Sequence, residues 1–312
     1  MSDARKRFIE QHMTKFNPAQ MVTADEHLIF GNSGGVAQSP DSNYTQVLAP
    51  SFAGIAANGL PGVKRFLQPL QRGVGAGGYS PWPAFANRTY SLTGRRSIVI
   101  NMAKSLGYGA EVEARTPTRH HDARFIETSM LGPIVDDGVL RSELLPACRA
   151  LYEAAPGWTV QHRNVWFFGQ EGEAVAYGNS NIDTDRFIAW ANEFLEYMQT
   201  EHGCHRLFLS YTMHRGTTPA EMAAHNVPPA GQTWVREAMD AAEAQNDNIH
   251  VVNRWMAEDA DSEGTFNSIE IGEGWDHIAG TASYDGDHPS DQTQLAWGVG
   301  AGEAYSAIVG SV

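Results

Sequence analysis

A chain of 312 residues, 42% hydrophobic and 19% charged, suits one large soluble α/β domain or two small ones, with ample length for a core. Its 22 Lys and Arg against 36 Asp and Glu leave a formal charge of −14. A surface that acidic repels phosphate backbones and anionic lipid, so neither nucleic acid nor a membrane is an expected partner, and no run approaches the about 18 apolar residues of a membrane span.

In chain order, "MSDARKRFIEQHMTKF" has no apolar core of the kind a secretory signal carries. A cytoplasmic location is the default expectation, with a phage-borne protein or a trimmed secreted one left open. Residues 1–25 read as an N-terminal extension and 26–312 as a single domain. Five short apolar runs read as strands: His27–Phe30, Ala110–Ala114, Asn164–Phe168, Arg206–Tyr211 and Ile249–Val252. Several are continuously apolar, as buried parallel strands are. Leu140–Tyr152, the stretch around Phe187, Trp190, Ala191, Phe194, Leu195 and Met198, Thr233–Ala244 and Thr293–Ile308 carry helical periodicity. Strands alternating with helices predict a mostly parallel sheet covered on both faces, a three-layer α/β/α sandwich. The connection from Gly34 to Arg96 is rich in Gly, Pro and Ser and reads as short helices and surface loop. Cys148 and Cys204 read as buried free thiols, which suits a reducing compartment.

"HLIFGNSGG", His27 to Gly35, ends the first strand on a serine between glycines. Gly31 to Gly35 fits the serine motif of chymotrypsin-like proteases, but only about thirty residues precede it, too few to supply His and Asp from two β-barrels. It fits the G-x-S-x-G elbow of α/β-hydrolases as well, yet that elbow follows several strands and this one follows the first. A plain tight turn is the simplest account of the pentapeptide. "YDGDHPSDQTQLAWG" adds Asp285-x-x-His288 ahead of the last helix. A carboxylate three residues before an imidazole can hold its Nδ1 and leave Nε2 free to take a serine proton. In a parallel sheet the loops after the strands gather at one edge, where the first and last can meet.

The order Ser33, then Asp285-x-x-His288, resembles the SGNH (GDSL-like) hydrolases. "NVWFFGQEGEA" looks like the W-x-Q-G-E-S block of the sialate O-acetylesterase and carbohydrate esterase family 6 branch, and the helix–strand blocks after it follow in the right order. The resemblance implies a flavodoxin-like α/β/α fold and a serine esterase acting on acetyl or other small esters of a carbohydrate, with no cofactor required. Ser33 matches the nucleophile, with Gly34 beside it, and Asp285 and His288 match the rest of the triad. Gln170, Gly172 and Glu173 match the Q-G-E block, with Glu171 as an apparent insertion. The family's glycine-containing turn after strand two has no match in "ARTPTRHHDAR", which leaves Thr116 or Thr118 as the backbone oxyanion donor. Tyr79 and Trp82 in "GGYSPWPAF" offer rings for a sugar, or anchor a loop as buried aromatics. A non-catalytic glycan-binding module and a lipase or thioesterase on the same triad are the competing functions.

Three further motifs attract attention. "GVGAGG", Gly73 to Gly78, follows no strand and reads as a flexible loop rather than a dinucleotide fingerprint. "RHHD", Arg119 to Asp122, reads as a solvated or substrate-facing loop rather than a metal site. "DADSEGTFNSIE" sets Asp259, Asp261, Glu263, Asn267 and Glu270 at the spacing of a calcium loop, with Gly264 at the turn. The strand-like segment before it stands where a helix belongs, which favours an acidic surface loop over calcium. The sequence leaves the oligomeric state open.

Overall fold

The computed structural model of the chain describes residues 22–31, 54–57, 81–101, 146, 149–150, 153, 157–168, 183–211, 229–254, 265–266, 280–281 and 291–310. Strands β1 (Val22–Gly31), β2 (Gly54–Ala57), β3 (Arg96–Asn101), β4 (Trp158–Phe168), β5 (Arg206–Ser210) and β6 (Ile249–Val252) form one sheet in the order β2-β3-β1-β4-β5-β6. β2 is an antiparallel edge strand, and the other neighbours pair in parallel. Counted alone, the five parallel strands run 2-1-3-4-5, the flavodoxin-like doubly wound order. A two-residue pair, β7 (Thr265–Phe266) with β8 (Gly280–Thr281), stands apart.

Helices cover both faces. Trp166 and Phe167 are successive residues of β4 and so point to opposite sides. Trp166 meets Phe85 of helix α1 (Trp82–Thr93), with ring centroids 5.1 Å apart, and Tyr305 of helix α4 (Asp291–Val309), at 6.2 Å. Phe167 meets Trp190 of helix α2 (Thr184–His202) at 5.0 Å. Helix α3 (Pro229–Gln245) lies beside α2, where Trp234 contacts Phe187. The apolar stripe of α2, from Phe187 to Met198, is buried as its spacing predicts. Asp183 caps the start of that helix by accepting the Arg186 N–H at 2.8 Å, and Gly203, at φ 67°, closes its end.

α1 and α4 run parallel and touch backbone to backbone. A Cβ on Gly298 would stand 2.0 Å from the Pro81 carbonyl oxygen, and one on Gly302 would stand 2.9 Å from the Phe85 carbonyl oxygen. Further along, Arg88 pairs with Glu303 at 2.6 Å and Arg95 reaches the Gly310 carbonyl. The glycines of α4 are therefore the contact that lets it lie close to α1. Because α1 leads through Gly94 into the start of β3, both helices begin at the edge of the sheet where the parallel strands end.

Several expectations change here. The parallel strand beside β1 is Arg96–Asn101, whereas Ala110–Ala114 lies outside the described residues. Two arginines stand at the start of "RSIVIN", Arg95 just before it and Arg96 as its first residue: Arg95 reaches back to Asp25, and Arg96 lies over the Tyr90 ring. The connection between Gly34 and Arg96 contributes a strand in addition to the expected helix, here of 12 residues. β1 starts at Val22, ahead of Glu26, and an antiparallel edge strand, β2, is added to the five parallel strands expected. Among the described residues no helix is long and apolar enough to cross a membrane.

Candidate active site

The doubly wound order creates a switch point between β1 and β4, where successive crossovers leave in opposite directions. There the two strands end in register, Gly31 beside Phe168. In the sequence, Ser33 follows Gly31 by two residues and Gln170 follows Phe168 by two. Asp285 and His288 come shortly before Asp291, the first residue of α4, and α4 begins at the same edge. Ser33, Gly34, Thr118, Tyr79, Gln170, Glu173, Asp285 and His288 lie outside the described residues, as do Asp259, Asp261, Glu263 and Glu270. No group of three or more His, Cys, Asp or Glu side chains able to hold a metal occurs among the described residues.

Trp82 is described, and of its two expected roles, sugar stacking or buried anchor, it takes the second. It opens α1 and is only 2% exposed, with its ring edge-on to Phe85 at 5.8 Å and Trp166 at 5.9 Å. A ring enclosed in this way anchors the helix and has no free face for a sugar.

A polar clamp holds the opening turns of α4 to the sheet. Ser210, at the end of β5, accepts hydrogen bonds from Trp297 Nε1 and from Asn253 Nδ2, the latter at 3.0 Å. Asn253 follows β6 with φ 59°, a left-handed turn that brings its amide back over Ser210. All three residues are buried. This clamp ties the first two turns of α4 to the ends of β5 and β6.

β1 buries three consecutive ionisable residues, Asp25, Glu26 and His27, all 0% exposed. Alternation sends Glu26 to the α2 side, where Arg149 holds both its oxygens, at 3.0 and 2.6 Å. Asp25 faces α4 and accepts from the Tyr305 hydroxyl at 2.8 Å and the His162 backbone N–H at 3.1 Å, with Arg95 at 3.6 Å. Burial pushes both carboxyls above their ordinary range, against the pull of those partners. His27 accepts from Trp166 Nε1 through its Nδ1 at 3.1 Å, so its proton sits on Nε2, enclosed by Phe85 and Tyr305. A second proton would set two N–H groups against each other at Nδ1. Burial first, and then the His162 charge, push His27 down to about 3. It is a neutral core histidine and not a catalytic base. Cys204 is a buried free thiol, pushed up to about 12 by burial and by the Glu26 charge. The sequence offered no signal for this buried system, because a D-E-H run reads as surface until its partners, up to 280 positions away, are known.

A pH effect follows. A histidine at about 3 in the fold and about 6.5 unfolded contributes stability above pH 6.5 and loses it as pH falls toward 3, by about 1.4 kcal/mol per unit. Asp25 and Glu26, both raised, act in the opposite sense, and their destabilising ionisation is relieved as pH falls. Comparison with His27→Gln, whose amide oxygen can still accept from Trp166, separates the two. Between pH 6 and 4.5 the wild type should lose about 1.4 kcal/mol per pH unit more than the variant in denaturant titrations. Equal slopes would contradict the assignment.

No protein-family model and no curated protein sequence matches this chain. Among solved structures, it is similar to Est24, a carbohydrate acetylesterase from Sinorhizobium meliloti, at 10% identity and TM-score 0.40, covering 91% of this chain and 99% of that one. It is similar also to Axe2, an acetylxylan esterase from Geobacillus stearothermophilus, at 9% identity and TM-score 0.38, covering 94% and 97%. The α/β architecture rests on the strand order and registers of this chain.

Proposed function

We propose that this protein is a serine esterase that removes small acyl groups, acetyl first among them, from a carbohydrate. The observation that supports it is the in-register ending of β1 and β4 at the switch point, with Ser33 and Gln170 each two residues beyond. The start of α4 at the same edge, just after Asp285-x-x-His288, adds the remaining pair. In the proposed reaction His288 Nε2 takes the Ser33 proton as Oγ attacks the ester carbonyl. Asp285 holds the imidazolium, and the alcohol leaves with the proton. Water then attacks the acyl-enzyme by the same base and releases the acid. Backbone N–H of Ser33 and the Gln170 side chain are the proposed oxyanion donors. The proposed third donor is a backbone N–H of the segment after β3, where the sequence offers Gly107 and Gly109 as well as Thr118.

Acyl chain length tests the reading. Against p-nitrophenyl acetate and the corresponding butyrate and octanoate, kcat/KM should be highest for acetate, by about tenfold or more, since one methylene is worth roughly 10-fold or above in a fitted pocket. A preference for octanoate would instead make the enzyme a lipase or thioesterase. Saturable sugar binding with no acetate release from an acetylated oligosaccharide would leave only a binding module.

A further inference from the structure

At the opposite edge of the sheet, where the strands begin, cations gather in a chain whose formal charge is −14. Arg206 opens β5 on the α1/α4 face, two residues before Phe208. It lies beside Asn164 of β4, and His162 precedes Asn164 on the same face. On the other side His250 of β6 lies beside Phe208, with ring centroids 5.2 Å apart. His205, the residue before Arg206, sets its ring 5.8 Å from that of His162, edge to face.

The neighbouring arginines are engaged. Arg95 has Asp25 and the Gly310 carbonyl, and Arg163 has Glu153 at 3.4 Å and Glu26 at 3.7 Å. Arg206 makes no hydrogen bond or ion pair among the described residues, and its Nη1 is buried. His250 Nε2 is buried without a hydrogen-bond partner as well. The carboxylate whose field reaches Arg206 is that of Asp25, already held by Arg95, Tyr305 and the His162 N–H. The charge acting most strongly on both His205 and His250 is Arg206 itself. Glu243 and Asp247 act on His250 more weakly.

We propose that Arg206, together with His162, His205 and His250, binds a small oxyanion at this edge. A guanidinium fork matches two oxygens of such an anion, and each neutral imidazole adds one N–H donor. Burial and the surrounding arginines keep these rings neutral, with His162 pushed down to about 4, so the guanidinium supplies the charge and the rings the directed bonds. The site lies away from the candidate catalytic edge and does not depend on the esterase reading.

Inorganic phosphate is the probe. The thermal midpoint of the full chain at pH 7 should rise by about 3 °C or more in phosphate over sodium chloride of equal ionic strength. Arg206→Gln should remove that excess, and His205→Gln, at an exposed position, should reduce it while preserving the fold. No excess over chloride in the wild type, or an excess that both variants retain, overturns the proposal. Should Arg206→Gln not fold, His205→Gln decides alone: a reduced excess supports the site and an undiminished one removes it.

Discussion

Ser33→Ala is expected to lower kcat/KM for p-nitrophenyl acetate by about 10⁴- to 10⁶-fold, since the members of such a triad act as a unit and loss of the nucleophile forfeits nearly all of its advantage. A residual rate of about 10³-fold over water would remain from the oxyanion donors and substrate binding. The fold should survive. Ser33 stands two residues beyond the last register pair of β1, so no ladder bond is lost and the thermal midpoint should stay within about 2 °C of the wild type. Equal turnover in the two proteins would remove Ser33 from the reaction and with it the esterase reading.

Gly298→Ala is expected to be the most disruptive single methyl in the described structure. Alanine gains about 1 kcal/mol over glycine in a helix interior. Its Cβ, however, would lie 2.0 Å from the Pro81 carbonyl oxygen and 2.9 Å from the Ala84 Cβ. Two of the obstructing atoms, the Pro81 oxygen and its carbon, belong to the backbone of α1, so no rotamer relieves the overlap and one helix must shift. Overpacking of this kind costs about 3 kcal/mol or more, a net loss of about 2 kcal/mol or more after the propensity gain, which lowers the midpoint by about 4 °C or more. Gly302→Ala meets its nearest backbone atom at 2.9 Å and its remaining close contacts in the Arg88 side chain, and should cost less. Since displacement of α4 carries the start of the helix away from the sheet edge, esterase activity should fall with stability in Gly298→Ala. A variant as stable as the wild type would contradict the close approach of α1 and α4.

Elements whose own residues state their environment were legible in the sequence. β5 and β6 are short apolar runs, and α2 carries its buried stripe at helical spacing. Elements that depend on distant partners were not. β1 appeared to begin at His27 because Asp25 and Glu26 look like surface, and only Arg149, Arg95 and Tyr305 make their burial tolerable. The first half of β4 was missed for the same reason: "TVQHR" is polar, yet its ladder to β1 holds it in the sheet. Trp82 shows the converse, an aromatic in a Pro- and Gly-rich stretch that turns out to be core. For the candidate site, the serine's place after the first strand and the D-x-x-H before the last helix were both readable, because each is local. The location of strand two was not, since Arg95 and Arg96 precede its apolar run.

The tie between Asp25 and Tyr305 spans 280 positions, from the first described strand to the last described helix. It sets an order on the making of this protein. As the chain is synthesised, the central strand emerges early with a carboxylate and an imidazole that nothing yet covers, and pairing alone cannot bury them. The helix from Asp291 to Val309, far along the chain, completes their burial. A contact of such sequence separation carries a high loop-closure cost and is expected to slow folding. Burial of the strand's polar groups is therefore coupled to the docking of that helix, and loosening α4 is expected to expose Asp25 and His27 together.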